Sequence, residues 1–311
     1  MKKITAAICT YNRYDVLSKA VKSLQEQTLP EEEYRVIIVD NSPDWDYAAE
    51  VQKQYQDLPF LEYVIEKIPG LSNARNVAAR MCGTEYIAYM DDDAIASPQW
   101  LEKIIEGFEL FGSNTAVVGG KVEPIWDGER PSWLGNNLLC YVSAINWGGE
   151  LRIAKESEWF AGCNISFHTQ DILDNGGFDV NLGRTGSGLT LLSNEETDLL
   201  GKLRKQGKNC VYAPEASVCH LVEQRRLQQS WFRQRVVWQA VSDYILDPEK
   251  AIKNSHQGWN FALEYFFSLP PKERNIRGLF YDTDNPQKFK EQLWVIGTVT
   301  NMMLAGFEGI E

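Results

Sequence analysis

The sequence predicts an α/β protein, a doubly wound and mostly parallel sheet followed by a C-terminal helical appendage. Three observations carry that reading. Short, continuous apolar runs alternate with amphipathic stretches through the first third of the chain, the pattern of strands covered on both faces. Two of those runs, Tyr34–Asp40 and Tyr86–Asp93, stop abruptly in acids, which places both sets of carboxylates on one rim of the sheet. Finally, 311 residues with 44% hydrophobic and 24% charged side chains suffice for a large soluble core.

The elements follow in order. Ile4–Cys9 reads as a first strand, broken by Thr10-Tyr11-Asn12-Arg13. Asp15–Gln27 carries Val16, Leu17, Ala20, Val21 and Leu24 at helical spacing. After the strand ending at Asp40 and the break Asn41-Ser42-Pro43, Asp46–Gln56 reads as a helix and Leu61–Ile65 as a strand. Ser72–Met81 is the next helix and leads into the strand that ends in Asp91-Asp92-Asp93. Pro98–Phe111 reads as a helix opened by Ser97-Pro98, and Ala116–Val122 as a strand. Glu123–Ser157 shows little periodicity but holds Trp126, Trp133 and Trp147, a segment expected to bind or to pack. Trp159–Phe167 reads as a strand with a close-approach glycine, and Gly183–Gly188 as a flexible loop. A helix over Asn194–Gln206, short strands at Asn209–Ala213 and Ser217–His220, and a long helix over Gln228–Ile245 complete the pattern. The expected division is a main domain over residues 1–240, in halves 1–122 and 123–240, with a helical extension over 241–311.

Composition excludes some roles. Lys+Arg 31 against Asp+Glu 43 gives a net charge of −12, which argues against nucleic acid or an anionic membrane as a bulk-charge partner. The six cysteines are scattered without a C-x-x-C pair, which suits reduced thiols in a cytoplasmic protein. The apolar run after Lys2-Lys3 is too short for a signal peptide. The longest apolar stretch, Leu293–Ile310, is interrupted by Thr298, Thr300, Asn301 and Glu308, so a partly buried or peripheral helix is expected there.

Chemistry concentrates at the acids. Three adjacent carboxylates repel one another unless a cation compensates them, and a hard divalent ion, Mn²⁺ or Mg²⁺, bridging phosphate oxygens is the economical choice. In an extended chain Asp91 and Asp93 point to one side and Asp92 to the other, which makes Asp91 and Asp93 the working pair. The plainer alternative is a solvated acidic turn. On the helix over Asn194–Gln206, Glu196 leads the stripe of Leu199, Leu200 and Leu203, while Glu195 and Asp198 fall on the polar side. Glu196 is therefore the expected general base and Glu195 a partner of the helix dipole. His220 is a candidate metal ligand or a strand-end histidine. Arg225 and Arg226 are candidates for facing a diphosphate or solvent.

In combination these stretches resemble the family-2 inverting glycosyltransferases of the GT-A fold. The resemblance rests on Ala7-Ile8-Cys9-Thr10-Tyr11-Asn12-Arg13, Val36–Ser42, Gly70–Asn76, Tyr89–Asp93, Gly176-Gly177-Phe178-Asp179 and Glu195–Leu199, in that order. It implies that Thr10, Tyr11, Asn12 and Arg13 line a nucleotide, that Asp40 with Asn41 meets the base, and that Arg75 lies near the ribose or diphosphate. It further implies Asp91 and Asp92 beside the donor, Asp93 as the principal metal ligand, His220 near the metal, and Glu196 as base with Glu195 before it. The second acid of that pair is glutamate here, a methylene longer than the family's aspartate. The implied reaction moves a sugar from a nucleotide-sugar, UDP-linked in most of the family, to a hydroxyl of a glycan or lipid-linked acceptor. The implied place is the cytoplasm, with a peripheral contact at the inner face of the membrane. A nucleotidyltransferase would instead show a glycine-rich phosphate loop after the first strand, which Thr10–Arg13 lacks. A silent nucleotide-sugar-binding or glycan-binding relative would have no use for Asp91, Asp93 and Glu196 together, and donor hydrolysis separates the two.

Overall fold

A computed structural model of the chain describes residues 2–186 and 190–305. They fall into two compact units, one of residues 1–125, 143–187 and 195–221, the other of 126–142, 188–194 and 222–311. The last two residues of the Gly183–Gly188 loop and the last five of Leu293–Ile310 lie outside the described residues.

The first unit is built on a sheet of order β3-β2-β1-β4-β8-β6-β9-β5, with β7 beside β9. Strands β1 (Ile4–Thr10), β2 (Tyr34–Asp40), β3 (Leu61–Ile65) and β4 (Tyr86–Asp91) run parallel, as their continuous apolar sequences predict. Helices α1 (Tyr14–Gln25), α2 (Trp45–Lys53) and α3 (Leu71–Met81) make the crossovers. The chain steps from β1 to β2 to β3 in one direction and then returns past β1 to β4. With right-handed crossovers this puts α3 on the opposite face from α1 and α2, and creates a switch point between β1 and β4. Register pairs Cys9 with Asp91 across that point, so Thr10–Arg13 and Asp91–Asp93 leave the sheet side by side.

Beyond β4 the sheet turns antiparallel. The remaining strands are β5 (Ala94–Ala96), β6 (Thr115–Trp126), β7 (Arg152–Ile153), β8 (Ile165–His168) and β9 (Asn209–Val222). Strand β8 pairs antiparallel with β4 and β6, and β9 pairs antiparallel with β5 and β7. The two short strands expected around Pro214 are one strand. Residues before the proline pair with β7 and those after it with β5, so its missing N–H falls where the chain changes partner. Helix α4 begins at Trp100, two residues later than Pro98 suggests, and runs to Leu110. The strand expected over Trp159–Phe167 forms only from Ile165, after a 3₁₀ turn at Gly162–Asn164. That turn is fixed by Asn164, which accepts from Trp100 Nε1 at 2.9 Å and donates to the carbonyls of Lys121 and Ala216 at 2.9 and 2.8 Å. Helices α5 (Thr169–Asp174) and α6 (Glu195–Lys205) complete the unit.

The second unit is helical, with α7 (Gln229–Leu246) and α9 (Pro286–Leu304) around Phe232, Val236, Phe289, Leu293 and Ile296, and α8 (Pro248–Ser268) packed on α9 through Ala262, Tyr265 and Val295. Trp133 belongs to this core, edge-to-face with Phe232 and Phe289 at 5.2 and 4.9 Å. Packing thus accounts for that tryptophan. Trp147, in the first unit, donates Nε1 to the carbonyl of Trp159 at 3.0 Å. The segment over residues 123–157 is less irregular than its sequence suggests, since it contributes the end of β6, a 3₁₀ helix at Asn136–Val142, and β7. Among the described residues no helix is long and apolar enough to cross a membrane.

Candidate active site

The site lies at the carboxyl ends of β1, β2 and β4, where an open α/β sheet binds ligands. Asp92 and Asp93 follow β4 into the tight connection to β5 and are buried, whereas Asp91 keeps partial exposure. Thr10, at the end of β1, donates its hydroxyl to Asp92 Oδ2 at 2.7 Å. Arg13 reaches across from the next loop, with Nη2 2.6 Å from Asp93 Oδ2 and Nη1 3.4 Å from Asp92 Oδ1. Burial pushes the Asp92 carboxyl up, Arg13 pulls it down and Asp93 pushes it up again. Asn12 adopts φ +55°, which aims its backbone N–H at Ser42 Oγ, 2.9 Å away. Tyr11 lies partly exposed on the same loop.

His220 comes from β9, opposite Ala94, and is buried. Its Nε2 lies 3.2 Å from Asp93 Oδ1 and 3.9 Å from Asp91 Oδ2. The strand register brings Asp91, Asp93 and His220 together as the sequence reading expects. A carboxylate oxygen of Asp91, a ring nitrogen of His220 and the sulfur of Cys163 also lie within 4.8 Å of one another. A partly exposed carboxylate, a buried imidazole and a buried thiol this close together form a donor set that fits a divalent cation.

Asp40 ends β2 on the same rim. It is fully buried, and protein donors occupy both of its oxygens: the Ser42 N–H at 2.9 Å and the Ser42 hydroxyl on one, Tyr14 Oη at 2.9 Å and Tyr63 Oη at 2.6 Å on the other. Here Asp40 ties the end of β2 to α1 and β3. Asn41 likewise ties loops together, donating to the carbonyls of Glu66 and Ile68 and accepting from the Gly70 N–H at 2.6 Å.

Arg75 is the hub. It emerges from α3, a helix buried on most sides, and is itself 2% exposed. Its Nη1 lies 2.8 Å from Glu195 Oε1 and 3.4 Å from Glu196 Oε1, and its Nη2 lies 3.7 Å from Asp91 Oδ1. Those acids hold its guanidinium firmly charged despite burial. Arg75 thus links the acids of β4 to the acids of α6, where the sequence reading places it beside a ribose or diphosphate. Gly162 packs against this cluster so closely that a Cβ there would overlap Arg75 and Glu196.

The two glutamates reverse the helical-wheel expectation. The Glu195 side chain is 4% exposed and that of Glu196 is 16% exposed. The wheel assumes that a helix faces the protein only with its apolar stripe. At the first turn of α6, however, Glu195 pairs with Arg75 and packs against Gly183. Burial, then the neighbouring Glu196, raise the Glu195 pKa to about 7 against the pull of Arg75. Its Oε2 is buried with no hydrogen-bond partner among the described residues. Asp198 pairs with Lys202 at 2.6 Å.

Asn76, next to Arg75, clamps the Gly-Gly-Phe-Asp turn by donating to the carbonyl of Phe178 and accepting its N–H, each at 2.8 Å. Gly177 sits at φ +81° against the Asn76 side chain, so both its conformation and its bareness are required. In the second unit Arg225 pairs with Glu223 and is exposed, while Arg226 is buried with its guanidinium 5.9 Å from the Trp231 ring. Sequence reasoning missed the bridging role of Arg75, the tyrosines on Asp40, and Cys163. The close-approach glycine before Cys163 was the one signal available.

Residues 5–163 match the profile described as "Glycosyl transferase family 2". The chain belongs to that family. It is a glycosyltransferase of the GT-A fold. It is 27% identical over 248 residues to the glucosyl-dolichyl phosphate glucuronosyltransferase of Haloferax volcanii, covering 79% of this chain and 77% of that one. It is also 27% identical over 263 residues to the succinoglycan biosynthesis protein ExoM of Rhizobium meliloti, covering 84% and 80%. Among solved structures, the mannosyltransferase PcManGT of Pyrobaculum calidifontis, in complex with GDP-Man and Mn²⁺, superposes with a TM-score of 0.57 at 18% identity, over 100% of this chain and 77% of that one. The family match takes in Thr10–Arg13, Asp40, Arg75 and Asp91–Asp93, and it ends before Glu195, Glu196 and His220.

Proposed function

We propose that this glycosyltransferase moves a sugar from a nucleotide-sugar to an acceptor hydroxyl in a single, metal-dependent, inverting displacement. The observation that supports it most is the convergence, at the switch point of the sheet, of Asp91, Asp93 and His220 with Glu196 across one buried arginine. Thr10–Arg13 line the nucleotide, with Asp40 and Asn41 shaping the floor beneath the base. Asp91, Asp93 and His220 would hold Mn²⁺ or Mg²⁺, which when bound supplies positive charge beside the departing diphosphate. Glu196 takes the proton of the acceptor hydroxyl while the acceptor oxygen bonds to the anomeric carbon and the bond to the diphosphate breaks on the opposite face.

Exposure supports Glu196 over Glu195, because a base must touch the acceptor and Glu195 is enclosed on Arg75. Arg75 contributes by holding the Glu196 carboxylate in position, its Nη1 3.4 Å from Oε1. The donor is UDP-linked in this reading. The acceptor is a lipid-linked or growing glycan, in line with the names of the Haloferax and Rhizobium relatives. We place the enzyme in the cytoplasm, peripheral at the inner face of the membrane. Exposed Phe266, Phe267, Phe280 and Tyr281, with Lys272, Arg274 and Arg277 on the same stretch, support that contact.

The test is a thermal-shift screen of UDP- and GDP-sugars, with and without Mn²⁺, on the parent and on Asp93→Asn. One nucleotide should stabilise the parent only with the metal, and Asp93→Asn should fold normally but lose that stabilisation. A variant that binds nucleotide and metal like the parent would overturn the reading.

A further inference from the structure

The inference rests on the reading of this site as a cation site. We propose that the Cys163 thiol is itself a ligand of the bound ion, joining Asp91 and His220, so that the site prefers thiophilic divalent cations such as Co²⁺, Zn²⁺ or Cd²⁺ to Mg²⁺.

Geometry comes first. The ligand atoms of Asp91, Cys163 and His220 all lie within 4.8 Å of one another. An ion about 2.0–2.3 Å from nitrogen, oxygen and sulfur ligands holds them roughly 3–4.5 Å apart, so a small adjustment brings the three onto one ion. Both the cysteine and the histidine are buried, at 1% and 2% exposure. The 3₁₀ turn carrying Cys163 is rigid, bolted by the three hydrogen bonds of Asn164 to α4, β6 and β9. Gly162 lets the same turn approach Arg75 and Glu196 closely, which puts the sulfur beside the acids.

Electrostatics point the same way. A structural cysteine needs only apolar or hydrogen-bonding neighbours, as Cys82 has in Thr84, Tyr86 and Thr169. Cys163 instead has the Asp91 carboxylate and the His220 imidazole as polar neighbours, their ligand atoms within 4.8 Å of its sulfur. A divalent cation bound there deprotonates the thiol that coordinates it. The step is balanced without a redox partner: the S–H bond breaks, one sulfur–metal bond forms, and one proton passes to solvent. Neutral imidazole and thiolate beside carboxylate make a mixed hard and soft donor set, which Mg²⁺ uses poorly.

The experiment titrates the full-length protein with Cd²⁺ and Co²⁺, following the sulfur-to-metal charge-transfer band, and with Mn²⁺ and Mg²⁺ by calorimetry. The parent should show the band. Cys163→Ser should lose it, with Cd²⁺ affinity falling about tenfold or more and Mg²⁺ affinity changing far less. The cadmium NMR shift of the parent reports a sulfur ligand without any variant, which covers the case of a Cys163→Ser protein that does not fold. A band that survives in Cys163→Ser overturns the proposal. So does a parent without the band that still binds Mn²⁺ through Asp93, although that result leaves the proposed function standing. A parent that binds none of these ions overturns both.

Discussion

Replacing Arg75 with methionine keeps most of the side-chain volume but removes the cation that pairs with Glu195, Glu196 and Asp91. The guanidinium is almost completely buried and its nearest acid is 2.8 Å away, so screening by water is slight. Deleting one partner of such a pair typically costs about 3–5 kcal/mol, because the remaining charge is stranded in a poor solvent. For a unit of this size each kcal/mol lowers Tm by about 2–4 °C, which gives an expected fall of roughly 6–20 °C. The sign of the pH dependence follows from the acids. The folded-state pKa of Glu195 already stands at about 7, above the ordinary glutamate value. Loss of the arginine raises it further. The folded protein then binds more protons than the unfolded chain, so stability falls as pH rises through that window. Denaturant melts should show the full loss near about pH 8 and a clearly smaller one near about pH 5. Adding Glu195→Gln should restore a large part of the loss, since a neutral amide no longer needs the guanidinium. A loss under about 1 kcal/mol, or one independent of pH, would refute the placement of Arg75 as a buried counter-ion.

Two further outcomes are expected. Gly177→Ala should destabilise the protein by about 1–3 kcal/mol, because φ +81° strains any side chain and the new methyl meets Asn76; an unchanged melting curve would contradict this. His220→Ala should weaken Mn²⁺ binding partially, with the carboxylates retaining the ion, and an unaltered metal titration would return His220 to a packing role.

Much of the parallel half of the sheet was legible in the sequence, because a strand buried on both faces writes itself as an unbroken apolar run. The acids at the strand ends were legible for the same reason, since a carboxylate has no place inside such a run. Legibility failed where tertiary contact overrode the local pattern. Glu195 sits on what a helical wheel marks as the solvent side, yet Gly183 packs against it and Arg75 reaches it from α3. Asp40 ends its strand as expected, but Tyr14 and Tyr63 come from α1 and β3, and no local spacing announces them. Pro214 looked like a strand break and is a change of pairing partner. Trp133 carried the features of a binding aromatic and fills a core shared with its neighbours Leu134 and Leu138 and with Phe232 and Phe289 of the distant α7 and α9.

The central claim is that Glu196 is the base at the end of a sugar-transfer site. It is tested most directly by single-turnover kinetics of the parent and Glu196→Gln with the donor found in the nucleotide-sugar screen. The account predicts near-normal donor binding and a transfer rate lower by a factor on the order of 10² or more. A Glu196→Gln enzyme that transfers sugar at the parental rate would contradict it.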